Sequence, residues 1–276
     1  MTDPYPEYRN ISVTDPLRQG DILEAADPAA SHWQRHLLVI TADCDFAHAK
    51  HQGRVTCVPV LTAQEYLLEM QIPRIREAAL KKFVATLRAT LASTSAANIS
   101  DQRLRAWPCE TAPGDIVASL ELDARKTATA RAALESIRLA SQPAESLGQA
   151  VEFLIDSYLA ASAPQKRDNI VNGIVSKLKG PYSQPPGDAL FLSAIAPECD
   201  LGYFVYLRHL EQVREADIAL GPTRRTANYR RIARLQDRYA HALVQRFALV
   251  FMSIGLPAEY EEIRELHSDY LGENFK

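Results

Sequence analysis

The run Asp43-Cys44-Asp45 places two carboxylates around a thiol, and His48, His51 and Cys57 follow soon after it. Groups of these types serve metal binding, nucleophilic attack or acid–base work. A tetrahedral zinc site takes four Cys or His donors, but its usual signature is paired C-x-x-C units, and the spacing here is irregular. No metal and no cofactor are therefore expected. A nucleophilic Cys44 needs a neighbouring base or cation to form a thiolate, and two flanking carboxylates work against that. Cys44 is expected instead to be a small buried residue filling the end of a strand. Two readings of the corner remain: a polar site of Asp43, Cys44, Asp45 and His48, with His51 able to join, or a strand end whose acids face water.

A second chemical set is the arginine cluster Arg224, Arg225, Arg230, Arg231, Arg234 and Arg238. Read as the opening of a helix, it puts Arg231, Arg234 and Arg238 on one face. Cations at a helix N-terminus oppose the helix dipole, so stability does not account for them. With Asn228 and Tyr229 they are expected to grip phosphate groups or an acidic partner. The competing expectation is a solvated face paired with Glu211, Glu215 and Asp217. On the binding reading, and with no local acid paired to them, replacing Arg231 and Arg234 by glutamine costs little stability or slightly raises it, and weakens an anionic partner's binding.

Regular elements must position these groups. Leu37–Ile40 is an unbroken apolar run with β-branched residues, the pattern of a strand covered on both faces, and it leads into the acidic corner. Gly20 marks a turn feeding a strand at Asp21–Glu24, and residues 25–34 read as a polar loop. Gln52-Gly53 is a turn, and Arg54–Val60 is a strand in which Pro59, lacking an amide hydrogen, calls for an edge or a bulge. Thr62 and Glu65 have the spacing of a capping box. Pro73 is a break or a first helical turn, and Ile75, Leu80, Phe83, Val84, Leu87 and Leu91 form one apolar stripe. Trp107-Pro108 and Pro113-Gly114-Asp115 bracket a turn region, and Ile116–Leu122 reads as a short strand. Helices follow from Asp123, around 147–158, and from Pro164 to Leu178. Strand character returns at Ala189–Ile195 and Tyr203–Leu207. A long helix is expected over Asn228–Ile254, closed by Gly255 and Pro257. The expected fold is α+β: a small β-barrel from 17–61 and 188–210, a helical insertion at 62–182, and a C-terminal helix within 224–256.

The bulk properties set outer limits. A chain of 276 residues with net charge −3 is not a wholly basic nucleic-acid binder, although a local basic patch remains open. No apolar run approaches the ~18 residues of a membrane span. The acidic, proline-containing start lacks the pattern of a signal peptide. Four irregularly spaced cysteines suit a reduced cytoplasm, the expected location.

Three segments carry a family resemblance. Arg18-Gln19-Gly20-Asp21-Ile22, Arg35-His36-Leu37-Leu38-Val39-Ile40-Thr41 and Val58-Pro59-Val60-Leu61-Thr62 resemble, in order and spacing, the R-G-D-I, R-P-A-L-V-L-S and V-P-L-T segments of MazF/PemK toxins. The resemblance implies an SH3-like barrel. It also implies an endoribonuclease in which Arg35 is the catalytic arginine and Thr41 the small hydroxyl, with His36 as a further proton handler. The departures are His36 in place of the family's proline, an extra residue between Arg18 and Gly20, and a chain much longer than those toxins. Against the catalytic role, Arg35 is open to pairing with Asp21 or Asp45. Val39–Phe46 and the Phe247-x-x-x-Phe251-x-x-x-Gly255-Leu256-Pro257 ending are similar to larger bacterial proteins with a V-I-S-x-D-C-D-L corner, a likeness that implies a fold more than a function.

The leading expectation is a non-enzymatic interaction or regulatory protein of a bacterial stress, toxin–antitoxin or antiphage-defence system. It would bind a protein or nucleic acid through the arginine cluster. The alternative is a MazF-like endoribonuclease, and the third is a Cys/His metal-binding protein.

Overall fold

The structure, a computed structural model, describes residues 7–120, 122–161, 163, 165–221, 226–252, 262–263 and 266–267. The fold is α+β, with a curled, largely antiparallel sheet of nine strands forming a half-barrel. In chain order the first elements are β1 (Tyr8–Arg9), β2 (Asp21–Ala25), α1 (His32–Arg35), β3 (His36–Val39), α2 (Asp43–Ala47) and β4 (Arg54–Thr62). Helices follow: α3 (Ala63–Tyr66), a π-helical turn (Leu67–Gln71), α4 (Ile72–Leu91), α5 (Asp101–Glu110), α6 (Pro113–Ala118), α7 (Ala124–Ala140), α8 (Leu147–Leu159), α9 (Arg167–Leu178) and α10 (Gly180–Ser183). The chain then returns to the sheet with β5 (Ala189–Leu192), β6 (Tyr203–Tyr206), β7 (Glu211–Arg214), β8 (Ile218–Ala219) and β9 (Tyr229–Leu235), and continues into α11 (Asp237–Met252).

The sheet runs β1-β9-β2-β3-β4-β6-β5, with β7 on β4 and β8 on β9. Strands from residues 21–62 and 189–206 thus share one sheet, and so do β1 and β7–β9. Every residue of β3 is buried. Its alternation divides two cores: Leu38 packs with Ile22 and Val58 inside the curl, while Leu37 and Val39 pack with Leu23 and Cys57 on the other face. β4 is paired with β3 along one side and changes partner on the other, from β7 at 54–57 to β6 at 60–62. Pro59 falls in the gap between those partners, where no amide donor is needed. Gly20 has φ +88 and sits so close to α11 that a Cβ there would lie 3.2 Å from Ala240 Cβ, so both backbone and space require glycine.

The helices have their own core, including Ile75, Leu80, Phe83, Leu87, Leu134, Ile137 and Leu154. Their starts follow local capping chemistry. Thr62 and Glu65 form the full capping box, and Ser100, Asp123 and Ser146 each accept a backbone N–H from the residue three positions on. A smaller cluster, including Leu61, Ala63, Tyr66, Ala189 and Phe204, joins these helices to the sheet.

Three expectations are corrected. The helix read from Asn228 begins at Asp237; residues 229–235 are instead β9, held between β1 and β2 by ladder hydrogen bonds on both sides. The three- and four-residue apolar recurrence across this region came from a bulged strand running into a helix. Ile116 lies in α6 rather than a strand, because Pro113 opens a helical turn. Trp107-Pro108 is inside α5 rather than in a turn. Ile254, Gly255, Leu256 and Pro257, and likewise Arg224 and Arg225, lie outside the described residues.

Candidate functional site

The arginine cluster is not a helical face. Opposite β9, Ile22 pairs with Ala233 while Leu23 pairs with Arg231, so Ile232 is an extra residue on one strand. This β-bulge brings Arg231 and Arg234, three apart in sequence, onto the same face. There they enclose Asp21, whose side chain is fully buried. Asp21 accepts from Arg18 N at 2.9 Å, Arg231 Nη1 at 3.3 Å, Arg234 Nε at 2.5 Å and Arg234 Nη2 at 3.0 Å. Their Nη groups also donate to the carbonyls of Pro16 and Ser12, while Arg231 Nε is buried without a hydrogen-bond partner. Arg231 and Arg234 are therefore paired with a buried acid, so the condition under which glutamine there costs little stability is not met. Arg230 pairs with Glu24 at 2.5 Å, not with Glu211, Glu215 or Asp217. Arg238 lies over the Tyr239 ring at 4.9 Å.

The acidic corner is also used by the fold. Asp43 accepts from Gln19 N at 2.9 Å and from Arg18 Nη2 at 2.8 Å, which pins the turn before β2. Cys44 is exposed, not buried as expected, because Asp43–Ala47 turns outward as a short helix. Its thiol lies 3.7 Å from Asp45 Oδ1, and His48 is exposed. His51 packs against Phe46, and its Nε2 is 2.8 Å from Glu215 Oε2, a contact that raises its pKa. Among the described residues, no three His, Cys, Asp or Glu side chains gather closely enough to hold a metal ion. Thr41 is likewise engaged: its Oγ1 accepts Thr56 N–H at 2.7 Å and so closes the β3–β4 ladder.

What the structure does bring together lies at the mouth of the curled sheet. Arg230 on β9, Glu24 on β2 and His36 on β3 are successive cross-strand neighbours. Glu24 and His36 share the inner face with Ile22 and Leu38, so this polar row caps the apolar interior. Arg35, the last residue of α1, stands beside it and donates to Glu65, not to Asp21 or Asp45. Glu65 does double work, since its other oxygen accepts Thr62 N at 2.8 Å in the capping box. His32 extends the cluster, with Nδ1 3.0 Å from Glu69 Oε1. Glu24, Arg35, His36, Tyr229 and Arg230 line a single cavity of about 590 Å³.

His36 is the chemically distinct member. Its side chain is only 9% exposed, its Nε2 is 3.9 Å from Glu24 Oε1, and its Nδ1 is buried without a hydrogen-bond partner. Burial lowers its pKa, outweighing the opposite pull of Glu24 and Glu65, so the ring is neutral near pH 7 and free to take a proton. The Tyr203 ring stands perpendicular to it, with centroids 6.0 Å apart. Burial raises the Tyr229 phenol, which therefore keeps its proton. Sequence reading singled out Arg35, His36, Tyr229 and Arg230 in other combinations, used Glu65 only as half of a capping box, and gave Glu24 no role beyond its strand. The signal for Glu24 was a carboxylate at an inward position of an alternating strand. Among the described residues no helix is long and apolar enough to cross a membrane. Set beside family models, curated proteins and solved structures, the chain matches none of them.

Proposed function

We propose that the cavity at the mouth of the sheet binds a phosphate ester of single-stranded RNA and that the chain is a MazF-like endoribonuclease on an SH3-like barrel. One observation carries this reading: a neutral, buried histidine with an unpartnered nitrogen lines the same cavity as two arginines. Cleavage at a 2′-hydroxyl needs a base, an acid and cations for the phosphate. His36 takes the proton from the 2′-hydroxyl as that oxygen bonds to phosphorus. The bond from phosphorus to the 5′-oxygen breaks, and that oxygen takes a proton from the Tyr229 phenol. The products carry a 2′,3′-cyclic phosphate and a 5′-hydroxyl. Arg35 and Arg230 turn from Glu65 and Glu24 to the phosphate, and Glu24 steadies the His36 imidazolium. Thr41 has no part in this scheme, since its hydroxyl is spent on the β3–β4 ladder.

A non-enzymatic interaction protein is the second reading. It is favoured by the ion pairing of both cavity arginines, which leaves the lining without excess positive charge. One experiment separates the two. End-labelled single-stranded RNA is incubated with the wild type, His36→Ala and Arg35→Ala, each first checked for folding by circular dichroism. Cleavage leaving cyclic-phosphate ends, lost in both variants, is the expected result. Binding without cleavage selects the second reading, and neither binding nor cleavage overturns the RNA assignment.

A further inference from the structure

A separate cavity of about 670 Å³ shares no lining residue with the one at the mouth of the sheet. Leu17, Ala216, Ile218 and Leu220 give it apolar walls, and Arg54, Arg214 and Glu215 bring charge to it. Leu17 and Ile218 belong to the core that holds Val55 and Val213, so the walls continue that core outward. Arg54 opens β4, Arg214 closes β7, and the register sets them directly opposite each other. Like charges in that position repel, so the pair works against its own ladder. Asp217 relieves Arg214, with Oδ2 2.8 Å from Nε. Nothing relieves Arg54: among the described residues its exposed side chain has no ion pair and no hydrogen bond. Glu215 is already held by His51 Nε2 at 2.8 Å. The turn entering β4 is strained as well, since Gln52 holds a left-handed φ of 50 just before Gly53 at 72. Repulsion and strain gathered around one cavity do not serve the fold, and such costs collect at binding sites.

We propose that this cavity binds a small aliphatic monocarboxylate, its head between Arg54 and Arg214 and its tail along the apolar walls. A guanidinium fork matches the two oxygens of a carboxylate, and an anion between the two arginines removes their repulsion. Its size falls within the range of about 300–1,000 Å³ usual for small-molecule sites. The charge of the head is set by what surrounds it. Glu215 lines the cavity and Asp217 stands on Arg214, so a dianion such as a phosphate monoester meets two carboxylates and is the poorer guest. The site is independent of the RNA reading, since it uses neither His36 nor the arginines beside it.

The test titrates the full chain with hexanoate, acetate, hexanol and hexyl phosphate, followed by ligand-observed NMR. The wild type is compared with Arg54→Gln, Ala216→Trp and Arg35→Ala. Ala216 is exposed and lines the cavity, so the larger ring fills it from the solvent side. Each buried methylene tightens binding by up to about fourfold. Hexanoate should therefore bind at least about tenfold more tightly than acetate, and hexanol, which lacks the charge, should fall below hexanoate. Arg54→Gln and Ala216→Trp should each weaken hexanoate by about tenfold or more, whereas Arg35→Ala, in the other cavity, should leave it unchanged. Arg54→Gln should also unfold at no lower temperature than the wild type, because it removes the cross-strand repulsion. No hexanoate binding, binding that survives Arg54→Gln, or binding lost in Arg35→Ala overturns the site. Hexyl phosphate bound more tightly than hexanoate overturns the carboxylate assignment, and a destabilised Arg54→Gln shows that the arginine serves the fold and overturns the argument for a ligand.

Discussion

Asp21→Asn removes the charge that two buried guanidiniums share. Asp21 is fully buried, and Arg231 and Arg234 side chains are 1% and 5% exposed, so water cannot replace what the carboxylate supplied. Breaking a buried ion pair from one side typically costs ~3–5 kcal/mol, because it strands the opposite charge. Asparagine keeps one acceptor oxygen but turns an N–H₂ toward the arginine donors, so it recovers little. With an m-value of roughly 2–3 kcal/mol/M in urea, the unfolding midpoint should fall by roughly 1–2.5 M. The assay is urea unfolding followed by tryptophan fluorescence. Arg230→Gln is the internal control: its pair with Glu24 is half-exposed, and losing such a pair costs at most ~1 kcal/mol. An Asp21→Asn protein no less stable than Arg230→Gln would refute the placement of the triad. Replacing all three residues by apolar ones should not restore stability, since Pro16 O and Ser12 O would lose the donors they have here.

Further outcomes follow from other contacts. Thr41→Val should lose ~1–3 kcal/mol in the same assay, because Thr56 N–H is left without its acceptor; an unchanged midpoint would show that the ladder closes without the hydroxyl. Glu198→Gly should raise stability by about 1 kcal/mol, the left-handed penalty less the glycine entropy cost, and a destabilised variant would mean the side chain is anchored. His51 has its pKa raised, mainly by the Glu215 contact. Its contribution is therefore fully present below the unfolded pKa near 6.5 and lost as pH rises through the folded value. The stability gap between wild type and His51→Gln should accordingly be wider at pH 5.5 than at pH 9, and a gap that widens with pH contradicts the assignment. For His36 the pKa is lowered, so the acid limb of any RNA cleavage should lie below the ordinary histidine range, which a pH–rate profile measures.

Local rules were legible where the residues that enforce them are neighbours in sequence. The capping box of Thr62 and Glu65, the turn at Gly20 and the buried strand read at 37–40 and found at His36–Val39 are each set within a few positions. Residues 228–236 misled because a bulge at Ile232 mixes a strand's period of two with steps of three, and the adjoining helix extends the pattern. Only pairing to β2, set by distant Asp21–Ala25, resolves it. The site had the same difficulty. Glu24 and His36 come from consecutive strands but Arg230 from one about 200 residues on, and their juxtaposition is a property of register rather than of motif. Charge alone could not separate the buried Arg231 and Arg234 from the half-exposed Arg230.

The position of β9 has a consequence for how the chain matures on the ribosome. Arg234 meets Asp21 from 213 residues away. At ~5–20 residues per second, β2 emerges roughly 10–40 s before the strand that completes it. Throughout that interval Asp21 lacks its arginines, and the β2 edge that will face β9 offers open hydrogen-bonding groups, a template for wrong pairing. The helices from α4 to α9, whose contacts are local, can compact during the wait. The half-barrel therefore closes only after β9 has been made, and the buried triad works as the latch: a chain that has not reached Arg231 and Arg234 cannot neutralise the acid made 213 residues before Arg234.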